Sequence, residues 1–378
     1  MSNNSEKKRI VLVTGACGFI GSHVCERFLN DPGTVVIGID NMNSLIYDKK
    51  YKLSNKQILQ KYPHYIHIEA DILSNNNWIT YYKPSVVIHL AAHANVRKST
   101  EYANEFIQNN LGTTQHLLEE IAHMRPADRP LFLYASSSSI YGNNKTPFSE
   151  EDQIENILCT YALSKYFCEQ MVDFYCNEYQ MDAVGFRFFS VYGPRCRPDM
   201  ATYQIMTLIH NEKTIKIMGY GSISRDFTYI YDIVDLIYAG ATNKRSQSIP
   251  AKNHQIYNLG NSKPITLRHF ISKIEEIAKK EATIELLPRN KNDALITFSD
   301  ISKACSELGY QPKIDIDEGL RKTYEWIVSK NNEQVMTTEW SHKLHNFYFY
   351  IVVEQIVYMA AWVIKGFFNA VTGRSKNE

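Results

Sequence analysis

Tyr161 and Lys165 stand four residues apart in Thr160-Tyr-Ala-Leu-Ser-Lys165, a spacing that places a phenol and an ammonium on one face of a helix. A lysine charge beside a phenol favours the phenolate, so the pair could act as a general base near neutral pH. Upstream, Thr14-Gly-Ala-Cys-Gly-Phe-Ile-Gly21 ends an apolar run, and Gly15, Gly18 and Gly21 would let backbone amides approach a pyrophosphate at the start of the next helix. Together the two motifs point to redox chemistry on a nicotinamide dinucleotide. Each has a plainer reading. Three glycines can serve tight packing. Among 25 tyrosines, about one or two Tyr-x-x-x-Lys pairs arise by chance on solvated helix faces.

The elements around these motifs decide between the readings. Short Val- and Ile-rich runs alternate with amphipathic stretches, which predicts a doubly wound parallel sheet covered by helices on both faces. Strands are expected at Ile10–Val13, Val35–Ile39, Ile66–Ile68, Val86–Leu90, Leu131–Tyr134 and Ala183–Phe188, with helices near Phe19–Leu29, Thr113–His123 and Tyr161–Glu178. The glycine turn thus lies between a strand and a helix, and Asp40 closes the next strand. A carboxylate there can accept from ribose hydroxyls and would repel a 2′-phosphate, which favours NAD over NADP. The Tyr-Lys pair opens a helix just after the fifth strand and its Ser136-Ser-Ser-Ser139 run, so a hydroxyl and a phenol could converge at the sheet edge. Serine runs also commonly satisfy loop backbone groups. Beyond Tyr192-Gly-Pro194 the alternation loosens, and Pro198, Gly219 and Gly221 punctuate what reads as a second lobe capping the sheet.

With 378 residues, 44% hydrophobic and 21% charged, the chain can bury a sizeable core and is not of disordered composition. A net charge of +1, and no basic run beyond Lys7-Lys8-Arg9, argue against nucleic acid as a partner. Seven scattered cysteines with no Cys-x-x-Cys pair suggest a reducing compartment and no metal site, hence a cytoplasmic catalytic domain. Met1–Arg9 is polar and leads straight into a strand, so no secretory signal is expected before the fold. Residues 347–368 are different in kind: 22 residues, only Glu354 and Lys365 charged, and about 33 Å long as a helix. Those charges fall on one narrow stripe with Tyr358 and Ala361. The segment could therefore anchor in a membrane, lie in its interface, or dock on protein.

From about Arg9 to Val328 the chain resembles the extended short-chain dehydrogenase/reductase family, and within it the nucleotide-sugar epimerases. The matching pieces run in the family's order: Thr14–Gly21, Asp40-Asn41, Asp71-Ile72, Leu90-Ala-Ala92, Ala135–Gly142, Tyr161–Lys165, Arg187–Pro194, Arg225–Tyr229 and Asp300–Lys303. The resemblance implies a Rossmann-type NAD-binding domain over residues 1–190 and 228–255 and a smaller α/β substrate lobe over 191–227 and 256–330; the apolar C-terminal extension over 331–378, expected to be helical, is not part of it. It implies that Gly15, Gly18 and Gly21 carry the pyrophosphate, Asp40 the ribose, and Asp71 and Ile72 the adenine. Phe19, Ile20, Asn41, Leu90, Ala91 and Ala92 complete the cofactor site. Tyr161 is then the base, Lys165 holds the nicotinamide ribose and tunes Tyr161, and Ser137 hydrogen-bonds the reacting hydroxyl, with Ser138 and Ser139 beside it. Arg225 matches a clamp for the substrate diphosphate. Family members often pair through a bundle that includes the Tyr-Lys helix, so a homodimer is expected.

The branch follows from fewer residues. Related dehydratases carry Asp-Glu, and uronate decarboxylases Glu, where this chain has Ser138-Ser139, which favours simple epimerisation. Tyr192-Gly-Pro-Arg-Cys-Arg-Pro-Asp-Met-Ala201 looks like the corresponding loop of UDP-glucuronate 4-epimerases. Arg197 with Ser190 could bind a uronate carboxylate there, although an arginine at such a place can also be a surface ion pair. The expected partner is a UDP-sugar, UDP-glucuronate or UDP-galacturonate. A neutral-sugar 4-epimerase, a decarboxylase and a non-catalytic NAD-binding scaffold are the alternatives. The chain departs from the uronate branch at Ser190, where Thr is usual, and at Lys291-Asn-Asp293, where Pro-Gly-Asp is usual.

Overall fold

Runs rich in Val and Ile form the first strands of the sheet that carries the site, and Gly15 and Asp40 end the first two of them. In chain order the elements begin with β1 (Arg9–Thr14), α1 (Phe19–Leu29), β2 (Thr34–Ile39), α2 (Lys50–Leu59), β3 (Tyr65–Ile68), α3 (Trp78–Tyr82), β4 (Val86–His89), α4 (Lys98–Glu101), α5 (Ala103–Ala122), β5 (Leu131–Ser137), α6 (Thr160–Tyr179) and β6 (Ala183–Phe188). The computed structural model describes residues 8–74, 77–242, 253–289 and 294–330. The chain divides into two compact units, Met1–Glu325 and Trp326–Glu378; of the second, only residues 326–330 are described.

The second half of the first unit continues with β7 (Ser190–Tyr192), α7 (Ala201–His210), β8 (Ile215–Met218), β9 (Ser224–Tyr229), α8 (Ile230–Thr242), β10 (His254–Leu259), β11 (Pro264–Thr266), α9 (Leu267–Ala278), β12 (Ile284–Leu287) and α10 (Ser302–Leu308). The large sheet has the order β10-β6-β5-β4-β1-β2-β3, and every pair in it is parallel. From β1 the chain winds one way through β2 and β3 and the other way from β4 outward. The reversal lies between β1 and β4, where such a sheet opens a ligand crevice at its carboxyl ends. All residues of β4 and β6 are buried, as a sheet covered on both faces requires.

Two small sheets, β11-β9-β7 and β12-β8, follow the large one. Fully buried Asp226 in β9 ties this region together. Its carboxylate accepts from the backbone amides of Asn261 at 2.8 Å, Ser262 at 3.0 Å and Ser299 at 3.0 Å, and from the Ser299 hydroxyl at 2.5 Å.

The expected strands are all present to within a few residues. The helix expected at Thr113–His123 begins ten residues earlier, at Ala103. Its first half, Ala-Asn-Glu-Phe-Ile-Gln-Asn-Asn, is too polar to show an apolar stripe, and tertiary contacts make it helical. The apolar segment 347–368 lies outside the described residues. Among the described residues no helix is long and apolar enough to cross a membrane.

Candidate active site

A cleft of about 1060 Å³ opens on the residues singled out by spacing. Its walls include Gly15, Gly18, Phe19, Ile20, Gly21, Asp40, Asn41, Asp71, Ile72, Leu90, Ala91 and Ala92, together with Ser137, Tyr161, Lys165, Ser190, Arg197 and Arg225. Ser138 and Ser139 do not line it. They form the turn after β5, and the Ser139 hydroxyl sits 2.8 Å from that of Ser137.

The glycine turn fits a dinucleotide phosphate. Gly15 has φ +67°, and a Cβ on it would lie 2.8 Å from the Ala91 nitrogen; one on Gly21 would lie 2.1 Å from the Gly15 carbonyl oxygen. No side chain caps α1, so its leading amides remain for an anionic ligand. Buried Asp40 accepts from the Cys17 amide at 3.1 Å, the Met42 amide at 2.9 Å and Lys52 Nζ at 3.0 Å. The Asp71 carboxylate accepts from Nδ2 of Asn41, the residue after Asp40, at 3.1 Å. Gly21→Ala forces backbone against backbone, and is expected to yield purified protein with most of its bound NAD lost. Acid extraction of the nucleotide measures this, and full occupancy would contradict the cradle.

Tyr161 and Lys165 occupy the first turns of α6, whose start is held by Asn110 of α5. Asn110 Nδ2 donates to Ser164 Oγ at 2.9 Å and to the His93 carbonyl at 3.1 Å, while its Oδ1 accepts from the His93 amide at 2.8 Å. One helical turn beyond Lys165, buried Glu169 pairs with Arg187 of β6 at 2.8 and 2.9 Å and accepts from Ser136 Oγ of β5. These bonds fix α6 against the strand that ends at Ser137. The Ser137 side chain lies close enough to the Tyr161 phenol to favour its ionised form, and the Tyr161 ring meets that of Phe106 edge-on at 6.3 Å.

The electrostatics differ from the expectation drawn from spacing. Burial raises the Tyr161 phenol above its ordinary value, while the Ser137 hydroxyl and the Arg197 charge pull it down. Lys165 is not among the largest influences on it. Burial holds the Lys165 ammonium below its usual value, and Nζ donates to the Ala135 carbonyl at 2.8 Å. Desolvation of both groups therefore outweighs their mutual charge effect.

Arg197 is not a surface pair. Its side chain is 23% exposed, and Nε and Nη2 donate to the two Asp199 oxygens, each at 3.0 Å, with a further bond from Nη2 to the Ala94 carbonyl at 2.6 Å. Asn95 Nδ2 donates to Asp199 at 2.9 Å. Arg225 Nη1 donates to the Ser224 carbonyl at 2.8 Å. Sequence reasoning missed Lys52, Asn95, Asn110 and Asp199. Only Asp199 had a local signal, its place two residues after Arg197 in the quoted loop.

The chain matches the family model of GDP-mannose 4,6 dehydratase over residues 12–323. It is 37% identical over 329 residues to a UDP-glucuronate 4-epimerase of Thermodesulfobacterium geofontis, covering 86% of this chain and 97% of that protein. It is 36% identical over 335 residues to UDP-glucuronate 4-epimerase 5 of Arabidopsis thaliana, covering 84% of this chain and 75% of that one. Among solved structures, UDP-glucuronic acid 4-epimerase from Bacillus cereus, in complex with UDP-glucuronic acid and NAD, superposes with a TM-score of 0.79 at 32% identity. That match covers 85% of this chain and 99% of the other.

Proposed function

The chain belongs to the GDP-mannose 4,6 dehydratase family of extended short-chain dehydrogenase/reductases, and on that footing we propose that it is an NAD-dependent UDP-sugar 4-epimerase interconverting UDP-glucuronate and UDP-galacturonate. The observation that carries this is that Tyr161, Lys165 and Ser137 line the same cleft as the glycine cradle and Arg197. When bound, oxidised NAD supplies the acceptor for the C4 hydride, its later return, and a positive charge that favours the phenolate.

The protein's own groups do the rest. Tyr161 takes the proton of the sugar 4-hydroxyl and gives it back after the 4-keto sugar has turned over. Ser137 orients that hydroxyl and steadies the phenolate. Lys165, fixed on the Ala135 carbonyl, keeps two further donor hydrogens for a ribose. Arg225 binds the diphosphate. The Ser138–Ser139 turn carries no carboxylic acid, so a leaving hydroxyl would find no proton donor there, and a 4-keto intermediate is returned as the epimer.

A 4-keto uronate is a β-keto acid that loses CO₂ readily, so the carboxylate must be restrained. Asp199 and the Ala94 carbonyl hold one edge of Arg197, leaving Nη1 to the substrate carboxylate. The same pairing makes Arg197 and Asp199 together neutral, which favours a second reading in which neutral UDP-hexoses are also accepted. Arg197→Ala distinguishes the two. Losing a charge-assisted bond of about 2 kcal/mol should raise KM for UDP-glucuronate about 30-fold and release some pentose product, with little effect on UDP-glucose. Unchanged uronate kinetics would remove Arg197 from the site.

The reading includes a substrate lobe formed by the small sheets. It includes pairing of two chains over α6, where Phe167 and Phe174 are exposed. With all seven cysteines free, it places the catalytic part in a reducing compartment. Membrane contact through residues 347–368 rests on their sequence alone. The direct test is to incubate the purified protein with UDP-glucuronate, add no NAD, and follow the sugar protons by NMR. UDP-galacturonate is the expected product; an inert substrate, or net oxidation, would overturn the reading.

A further inference from the structure

The loop that carries Arg197 is bound from behind by a second arginine. Gly193–Met200 is not regular secondary structure: Gly193 has φ +148°, and Arg195 holds a left-handed φ of +65° that non-glycine residues avoid. The Arg195 side chain turns away from the cleft and is only 8% exposed. Its Nη2 pairs with the Glu26 carboxylate, and its Nε donates to His23 Nε2 at 3.2 Å. His23 is buried, and its Nδ1 lies 2.9 Å from the Phe19 carbonyl, so Nδ1 carries the proton and Nε2 accepts. Glu26 and His23 both belong to α1, the helix whose first turn closes the glycine cradle.

We propose that Arg195 is a positioning residue for uronate recognition: it fastens the Arg197 loop to the cofactor-binding helix, so that Arg197 is aimed by the element that holds the dinucleotide. The proposal rests on the reading of Arg197 as the carboxylate contact. Arg195 is two residues from Arg197, and the intervening Cys196 is fully buried, its amide donating to the Gly193 carbonyl at 3.2 Å. The turn therefore has little slack between the two arginines. A guanidinium more than nine-tenths buried and paired to one carboxylate demands a fixed geometry, which suits a part that sets orientation. Arg195 does not line the cleft, so its effect must pass through the loop.

The test is Arg195→Met, which keeps the stem and removes the donors. KM for UDP-glucuronate, and its Kd by calorimetry, should rise about tenfold while the Kd of UDP, which has no carboxylate, and kcat stay within about threefold. Copurified NAD should be unchanged, and Arg195→Lys should recover part of the loss because one partner remains in reach. If Arg195→Met fails to fold, Glu26→Gln should show the same split at smaller size. Unchanged uronate affinity, or a loss of UDP affinity, NAD content and thermal stability in parallel, would overturn the proposal. A wild-type protein that binds but does not convert UDP-glucuronate would instead overturn the reading of the reaction, and the ratio of UDP-glucuronate to UDP affinity would still decide the role of Arg195.

Discussion

Tyr161→Phe is expected to lower kcat by about 10³-fold while leaving the fold and the bound NAD intact, since a positioned acid–base group contributes about 10²–10⁴-fold. Phenylalanine keeps the ring and its edge-on contact with Phe106, and loses only the hydroxyl, with its interactions with Ser137 and the Arg197 charge. Serine can turn its hydroxyl toward Ser139, 2.8 Å away, so no buried donor is stranded. The loss should therefore fall on kcat rather than KM, because the missing proton transfer belongs to the transition state. Activity within tenfold of wild type would mean that another group is the base.

Acid should weaken the fold through two buried imidazoles. His89 is buried between Thr14 at 2.8 Å and Thr114 at 3.2 Å, and burial lowers its pKa from 6.5 to about 3. His23 is lowered well below 6.5 by burial and by the Arg195 charge. A group with a depressed folded value contributes stability above its unfolded value and loses it as pH falls. In the unfolded chain both imidazoles protonate below pH 6.5, while in the fold they stay neutral. At pH 5 His89 alone costs about 2 kcal/mol relative to pH 7, and His23 adds to this in the same direction. Glu150 and Asp232, raised by burial, act in the opposite direction as pH falls and offset part of this. Urea unfolding at pH 7 and pH 5 should show a net loss of about 2–4 kcal/mol, a large share of a typical stability. An equal midpoint at both values would contradict it.

The parts legible in the sequence are those whose cause is local. Gly15, Gly18 and Gly21 announce their turn because a close backbone approach excludes Cβ, and Asp40 announces itself by closing an apolar strand. The bounds of α6 follow from its own periodicity. What spacing could not show is contact across the chain. Lys52 reaches Asp40 from another helix, Asn110 reaches Ser164 from α5, and Asp199 turns back on Arg197 with Asn95 behind it. Burial was the other blind spot. From spacing, Lys165 should depress Tyr161; in the fold, desolvation raises the phenol, and Ser137 and Arg197 oppose it. The polar first half of α5 was hidden for a related reason, since its helix is stabilised by packing.

The most direct test is to supply UDP-glucuronate deuterated at C4 to the purified protein without added NAD, and to read the product by NMR and mass spectrometry. Hydride removal and return within one cleft predicts UDP-galacturonate with the deuterium still at C4. Loss of the label to solvent, or a decarboxylated pentose as the sole product, would contradict the account.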